Sequence, residues 1–256
     1  MQGEDLFIRR AEVKAPTGAE PQDYTQAIPS VNLLRCLPFE RNITYLVGEN
    51  GSGKSTILEA VAIAAGFNPE GGTLNFRFTS RLSESGLWKR IRLVRGSRRP
   101  KTGFFLRTEC LFNLATEIER LDAEPAPSPL IIDSYGGRSL HEQSHGEAIM
   151  AVLQNRFGAA GLYLLDEPEA ALSPSRQLSF LKLLHEHVER LGSQFLIATH
   201  SPIVLGYPTA TIYETSAAGL HETSYDNVQN VLLTREFLLN RAQVLTGLLG
   251  AKPAKT

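Results

Sequence analysis

Short apolar runs alternate with longer amphipathic stretches along most of this chain. Apolar runs of four to eight residues predict buried strands, and apolar positions spaced three and four apart predict helices. The predicted strands are residues 6–13, 43–47, 103–106, 162–165, 194–198 and 211–214. The predicted helices are residues 57–64, 108–121, 144–157, 174–191 and 228–239. Strands that alternate with helices predict an α/β fold with a mostly parallel sheet flanked by helices.

The remaining segments carry weaker patterns. Proline, glycine and polar residues predict a loop over 14–30, and three prolines predict another over 124–129. Residues 67–103 lack clear helical periodicity. Residues 242–250 form an apolar segment that we expect to pack on the core or on a partner, followed by a mobile tail.

Composition narrows the class of protein without naming a partner. The chain has 256 residues, of which 42% are hydrophobic and 21% charged, and its net charge is -1. That length suits one large α/β domain. No apolar run reaches the ~20 residues of a membrane span. Two cysteines and a polar start favour a reduced, cytoplasmic setting.

A phosphate-binding loop follows the second predicted strand. The stretch Gly48, Glu49, Asn50, Gly51, Ser52, Gly53, Lys54, Ser55 and Thr56 fits the P-loop pattern, between a strand and an apolar helix. Glycines let the backbone fold around an anion, and the helix N-terminus points free N–H groups at it. We expect Lys54 to reach the β- and γ-phosphates of a nucleotide and Ser55 to ligate Mg²⁺.

Two adjacent carboxylates end the strand predicted at 162–165. Successive strand residues face opposite sides, so Asp166 and Glu167 can serve separate roles. We expect Asp166 to hold Mg²⁺ and Glu167 to act as the general base that polarises the attacking water in phosphoryl transfer. Taken alone, the same residues fit a solvated turn equally well.

His200 and Ser144 stand at two further element boundaries. His200 follows the next predicted strand, and parallel neighbouring strands would bring it to the same sheet edge as the carboxylates. Ser144 and Glu147 form a capping-box pattern at a helix start. A capped helix start that contains a glycine also suits an anion, and the local sequence is compatible with both interpretations.

Taken together, these residues resemble the ATP-binding cassette (ABC-type) ATPases. Residues 48–56 resemble the Walker A motif, 162–167 the Walker B motif, 143–147 the signature motif, 171–173 the D-loop, and His200 the switch histidine. The resemblance covers about 41–205. The residues of these motifs are similar to those of small stand-alone AAA family ATPases, which are closer to the RecF/SMC-like branch than to transporter subunits.

The resemblance implies a fold, a partner and a set of site residues. It implies one ABC-type ATPase domain over 1–256, with an inserted lobe at about 67–160 that carries the signature helix. It implies a head-to-tail homodimer in which each ATP lies between one P-loop and the partner's Ser144, His145 and Gly146. Catalysis would rest on Glu167, His200 and Lys54, with Mg²⁺ on Ser55 and Asp166.

Four positions depart from the family pattern or match it only loosely. His145 replaces the first signature glycine, where it could contact phosphate, and Ser173 replaces the D-loop aspartate. Arg107 occupies the glutamine-loop position and is not expected to be a metal ligand. Tyr24 precedes the P-loop at a plausible distance for stacking on adenine, although most loop tyrosines are surface residues.

A basic run precedes the strand at 103–106. Seven of the fourteen residues at 88–101 are Lys or Arg. One interpretation is a solvated face, and the other is a phosphate-backbone patch for DNA or RNA that includes Arg90, Arg92 and Arg95.

Three hypotheses for function follow. The first is ATP hydrolysis that drives a dimer clamp in DNA transactions or defence. The second is the ATP-binding subunit of a membrane transporter with separately encoded transmembrane partners. The third is a slow ATP sensor, which the presence of Glu167 argues against.

Overall fold

The computed structural model describes residues 6–15, 24–74, 85–125 and 129–250. The predicted tail therefore lies outside the described residues, as does part of the loop predicted at 14–30. The strands are β1 Ile8–Val13, β2 Cys36–Pro38, β3 Ile43–Gly48, β4 Gly72–Thr73, β5 Ile91–Arg95, β6 Thr102–Arg107, β7 Gly161–Asp166, β8 Gln194–Ala198, β9 Thr211–Ser216 and β10 Gly219–Thr223. The α-helices are α1 Pro29–Asn32, α2 Lys54–Ala65, α3 Leu111–Asp122, α4 His145–Asn155, α5 Pro174–Glu189, α6 Gln229–Leu239 and α7 Arg241–Leu249.

A seven-stranded sheet forms the centre of the fold, in the order β10-β9-β3-β8-β7-β6-β4. The inner pairs β9–β3, β3–β8, β8–β7 and β7–β6 are parallel, and the two edge pairs are antiparallel. This confirms the predicted α/β class with a mostly parallel sheet. The parallel order also aligns the carboxyl ends of β3, β7 and β8, which precede the P-loop, the carboxylates and His200.

Alternating side chains of this sheet enter two apolar layers. In β3 the side chains of Tyr45 and Val47 pack with α3, α4 and α5, whereas Leu46 packs with α2 on the other face. In β7 the same alternation separates Tyr163 from Leu164. Burial on both faces explains why these strands are continuous apolar runs in the sequence.

A second, three-stranded sheet has the order β2-β1-β5 and is antiparallel. Its strand β5 comes from the basic run, for which the sequence predicted no strand. The buried amide of Gln194 in β8 ties this sheet to the main one: its Oε1 accepts from Phe7 N at 2.9 Å and Ile8 N at 3.0 Å, and its Nε2 donates to Ile8 O at 2.8 Å.

The C-terminal helices α6 and α7 are mostly outside the core. Val228 and Val231 anchor the start of α6 in the apolar layer, whereas no residue of α7 is buried. Of the two expectations for 242–250, packing on the core is not observed in the described chain, and packing on a partner stays a prediction. No described helix combines the length and the apolar character that crossing a bilayer requires.

Candidate functional site

The P-loop connects β3 to α2 in the predicted strand–loop–helix order. Gly51 and Gly53 have φ of 77° and 97°, in the left-handed region that glycine adopts without strain. A Cβ on Gly53 would lie 2.8 Å from Ser30 Oγ, and Ser30 in turn donates to the carbonyl of Ser52. α1 therefore supports the loop from behind, and α2 begins directly at Lys54.

The Lys54 ammonium folds back across the loop. Its Nζ donates to Gly48 O at 3.0 Å and to Glu49 O at 2.8 Å, and the residue is only 4% exposed. Burial lowers the pKa of Lys54, although the carboxylates of Glu167 and Asp166 oppose the shift. The two carboxylates therefore compensate the buried ammonium only in part. An ammonium in this state, at a glycine-rich loop, suits a bound polyanion.

Ser55 and Asp166 meet at the carboxyl ends of the strands. Ser55 Oγ donates to Asp166 Oδ1 at 2.9 Å. Burial raises the pKa of Asp166 to about 6, against the hydrogen bond from Ser55 and the charge of Arg107. A hydroxyl and one carboxylate are oxygen ligands of the kind Mg²⁺ takes when substrate phosphates complete its shell, so these residues fit the predicted ion.

Glu167 lies in a turn that is strained for a residue with a Cβ. Its φ is 49°, and its backbone is held by Glu167 N donating to Ala198 O at 2.9 Å and by Thr108 Oγ1 donating to Glu167 O at 2.9 Å. Strained backbone of this kind persists where surrounding contacts impose it, often at functional sites. Asp166 contacts Ser55 and Glu167 contacts His200, so the two adjacent carboxylates have different neighbours.

His200 lies beside Glu167, as the predicted parallel pairing of their strands requires. His200 Nε2 is 3.4 Å from Glu167 Oε1, and this nitrogen is buried without a hydrogen-bond partner among the residues that the structure describes. Burial, aided by the charge of Lys54, lowers the pKa of His200, so the ring is neutral at pH 7. A buried ring nitrogen that lacks a hydrogen-bond partner in the described structure, beside the Glu167 carboxylate, suits an additional phosphate oxygen.

Glu169 fixes the backbone that carries His200. Its Oε1 accepts from Thr199 Oγ1 at 2.7 Å, from His200 N at 2.7 Å and from Ser201 N at 3.2 Å. Glu169 was not predicted as a site residue, although an acidic residue two positions after Glu167 is a visible signal in the sequence. The loop after β8 is thus tied to the turn after β7.

A cavity of about 430 Å³ opens above the P-loop. Glu167 and Tyr24 line it, together with the P-loop residues Asn50, Gly51, Gly53, Lys54, Ser55 and Thr56. Tyr24 begins a short 3₁₀ helix. The contact of Tyr24 with a nucleotide base stays a prediction.

The signature segment of the same chain lies elsewhere. Ser144 and His145 are exposed at the start of α4, and none of 144–146 is among the described residues that line the P-loop cavity. Ser144 Oγ and the Glu147 side chain form the complete capping box that the sequence predicted. The predicted capping box is therefore confirmed. The contact of this segment with a phosphate bound by a second chain stays a prediction.

Gly146 is required by close packing. A Cβ at this position would lie 2.5 Å from Ala171 O and 2.8 Å from an Arg176 guanidinium nitrogen. Ser173, the departure from the D-loop pattern, caps α5 by accepting from Arg176 N at 3.4 Å. The signature helix and the D-loop turn are thus neighbours within one chain.

Arg107, at the glutamine-loop position, lies in a buried ion pair. Its Nη1 donates to Glu59 Oε2 at 2.6 Å and to Pro69 O at 3.1 Å, and its Nη2 pairs with Glu109. Burial raises the pKa of Glu59 despite the arginine beside it. The contact of Arg107 with Glu59 was not predicted from the sequence.

The basic run does not form the predicted patch as a whole. Arg90 is 7% exposed and its Nε donates to Lys14 O at 3.1 Å, so including it in a nucleic-acid surface is a correction to the sequence analysis. Burial of the 3₁₀ helix that precedes β5 explains this placement. Arg92 and Arg95 are exposed on β5, and Arg92 Nε lies 3.3 Å from Glu12 Oε2.

Comparison with known proteins gives two family matches and a shared fold. Residues 131–206 match the model described as "AAA domain, putative AbiEii toxin, Type IV TA system", and residues 30–90 match a model described as "AAA domain". Among curated proteins, none matches this chain in sequence.

Solved structures share the architecture at low sequence identity. CbiO1 from Clostridium perfringens, part of the ABC transporter complex cbiONQ, is 17% identical with a TM-score of 0.50, over 96% of this chain and 100% of that one. A putative metal-chelate type ABC transporter is 14% identical with a TM-score of 0.48, over 96% and 90%. The SMC head domain from Thermotoga maritima is 14% identical with a TM-score of 0.43, over 85% and 98%.

One family model covers the P-loop segment, and the other covers the segment that carries the carboxylates and His200. These segments thus each match an AAA-domain model, and the chain as a whole has the P-loop α/β fold of the ATP-binding cassette ATPases.

Proposed function

We propose that the chain binds ATP with Mg²⁺ and hydrolyses it. The observation that carries the proposal is the convergence at one sheet edge of the P-loop, the Ser55–Asp166 pair and the Glu167–His200 pair. Glu167 would accept a proton from the attacking water as its oxygen bonds to the γ-phosphorus and the bond to the β–γ bridging oxygen breaks. The products are ADP and phosphate.

Mg²⁺ bound by Ser55, Asp166 and the phosphates would neutralise charge that develops on the transferred group. Lys54 would move from its backbone carbonyls to the phosphates. His200 Nε2, which is buried and unpartnered within the described part of the chain, would contact the γ-phosphate.

We further propose that two chains close head to tail around ATP. The exposure of Ser144 and His145, and their absence from the described lining of their own P-loop cavity, support contact with the nucleotide of a second copy. Gly146, packed under the D-loop turn, would position this contact. Hydrolysis would remove a phosphate held from both sides and loosen the dimer.

We propose a DNA transaction or defence as the output. The description of the family model matched by 131–206 names a toxin and a toxin–antitoxin system, which supports this choice. The alternative output, energising a transporter, would require transmembrane partners encoded elsewhere, and the solved structures at this identity bear only on the fold.

Steady-state hydrolysis of ATP tests the catalytic core. Replacing the general base by Glu167→Gln should lower kcat by about 10²–10⁴-fold. Glu189→Gln, the same chemical change at an exposed position in the last turn of α5, is the matched control and should retain the wild-type rate. Equal rates in wild type and Glu167→Gln would show that Glu167 is not the base or that the activity belongs to a contaminant.

A further inference from the structure

Asn230, in the first turn of α6, contacts His200 at two atoms. Its Nδ2 lies 3.3 Å from His200 Nδ1 and 3.5 Å from the carbonyl oxygen of His200. Val228 and Val231, both buried, hold this turn of the helix in the apolar layer. Asn230 is therefore presented to the ring by a fixed piece of backbone, 30 residues away in sequence.

The two contacts determine which way the amide of Asn230 faces. A backbone carbonyl oxygen can only accept a hydrogen bond, so the atom of Asn230 beside it must be the NH₂ group. The same NH₂ group faces His200 Nδ1. Because an NH₂ group can only donate, Nδ1 must be the acceptor nitrogen of the ring.

The protonation of the other ring nitrogen follows. His200 is neutral at pH 7 because burial and Lys54 lower its pKa. A neutral imidazole whose Nδ1 accepts carries its proton on Nε2. The Nε2–H then faces Glu167 Oε1, 3.4 Å away, and Glu167 in turn lines the P-loop cavity.

We propose that Asn230 is a positioning residue that fixes His200 as the Nε2–H tautomer, so that the ring donates toward an anionic phosphate oxygen. The opposite tautomer would present a lone pair to that oxygen and repel it. Glu169 fixes the backbone of the same loop, and Asn230 fixes the ring. The inference deepens the proposed ATPase function and rests on it for the identity of the phosphate.

Nitrogen-15 NMR of histidine-labelled, nucleotide-free protein at pH 8 tests the tautomer directly, because protonated and unprotonated ring nitrogens have well-separated shifts. His200→Gln identifies the His200 signals. The wild type should show Nε2 protonated. Asn230→Asp should move the proton to Nδ1, because a carboxylate can only accept.

Asn230→Ala should give a mixture of tautomers and lower kcat about 10-fold with KM within about twofold, in the range seen for residues that orient a functional histidine. Gln229→Ala, an exposed neighbour on the same helix, is the control and should leave both readouts unchanged.

The outcomes separate this inference from the proposed function. A wild-type ring protonated on Nδ1, or Asn230→Asp that retains the Nε2 proton, overturns the role of Asn230 even if ATP is hydrolysed. The wild-type measurement decides this even if a variant does not fold. The predicted tautomer without Glu167-dependent hydrolysis overturns the proposed function instead.

Discussion

At the scale of single residues, the buried carboxylate of Asp166 in the proposed metal site lowers the stability of the folded protein. Its carboxylate is desolvated, and the single hydrogen bond from Ser55 and the nearby Arg107 only partly compensate. A bound cation would stabilise the carboxylate. Without a cation, Asp166 binds its proton more tightly in the folded state than in the unfolded chain.

We therefore expect Asp166→Asn to stabilise the metal-free protein while abolishing hydrolysis. With a folded-state pKa of about 6 against an ordinary value of 3.8, the gain at pH 8 is about 3 kcal/mol. As the pH falls through 6, folded Asp166 takes up its proton and the wild type recovers stability, so the gain is about half as large at pH 5. Urea unfolding at both pH values measures it, and a gain independent of pH would contradict this account.

The Glu59–Arg107 pair gives a second residue-scale prediction. Arg107→Met should destabilise the protein by about 3–5 kcal/mol at pH 8, because Glu59 is left buried without its cation. The double variant Glu59→Leu/Arg107→Met should recover most of that loss. A double-mutant cycle by urea unfolding measures the coupling. Additive losses would show that the pair is not energetically linked.

Sequence alone predicted the candidate-site residues that lie within contiguous motifs and that the fold brings to one sheet edge. The P-loop, the Asp166–Glu167 strand end and His200 carry their signal in a few adjacent positions. The contacts of Glu169 with the His200 loop, of Asn230 with the ring and of Arg107 with Glu59 join residues 30 to 48 positions apart. Such contacts follow from strand order and helix placement, which no local pattern contains.

At the scale of elements, the main sheet follows from local sequence patterns, whereas the three-stranded sheet depends on distant contacts. The inner strands β3, β7 and β8 of the main sheet are buried on both faces, so their apolar runs are unambiguous. Strand β5 is partly exposed, carries arginines, and has a register irregularity in its pairing with β1. Its pattern therefore matched neither a buried strand nor a clean alternation, and its partner β1 lies about 80 residues earlier.

The start of α4 combines a structural cap with the proposed phosphate contact, and two substitutions separate them. Ser144→Ala should lower the unfolding free energy by about 1 kcal/mol, whereas Ser144→Asn should retain the cap and the wild-type stability. Both remove the hydroxyl that would contact ATP of the partner, so both should weaken the ATP-dependent dimer. Thermal unfolding and light scattering report the two effects. An intact dimer in both variants would exclude Ser144 from the interface.

At the scale of the whole molecule, the proposed head-to-tail closure predicts a change of mass. Glu167→Gln with ATP and Mg²⁺ should trap a dimer, because the γ-phosphate remains in place, and light scattering should report twice the monomer mass. ADP or omission of Mg²⁺ should return the monomer. A mass that does not respond to nucleotide would argue against closure around ATP.

The exposed arginines of β5 predict an effect on nucleic acid. Arg92→Glu/Arg95→Glu should weaken binding to duplex DNA and reduce the salt dependence of log K by about 0.9 for each phosphate that the protein no longer neutralises. Arg190→Glu, an exposed charge reversal at the end of α5, is the matched control. Fluorescence anisotropy across a salt series measures both. Identical salt slopes for the two variants would assign β5 to a solvated face.

The buried amide of Gln194 has a consequence for the order of folding. Its three hydrogen bonds to the backbone of Phe7 and Ile8 span 186 and 187 residues. At ribosomal rates of 5–20 residues per second, Gln194 is synthesised about 10–40 s after the first described strand. Until then the buried backbone groups of that strand lack this hydrogen-bond partner. The His200 loop, which directly follows β8, is completed later still, because Asn230 lies 30 residues beyond His200.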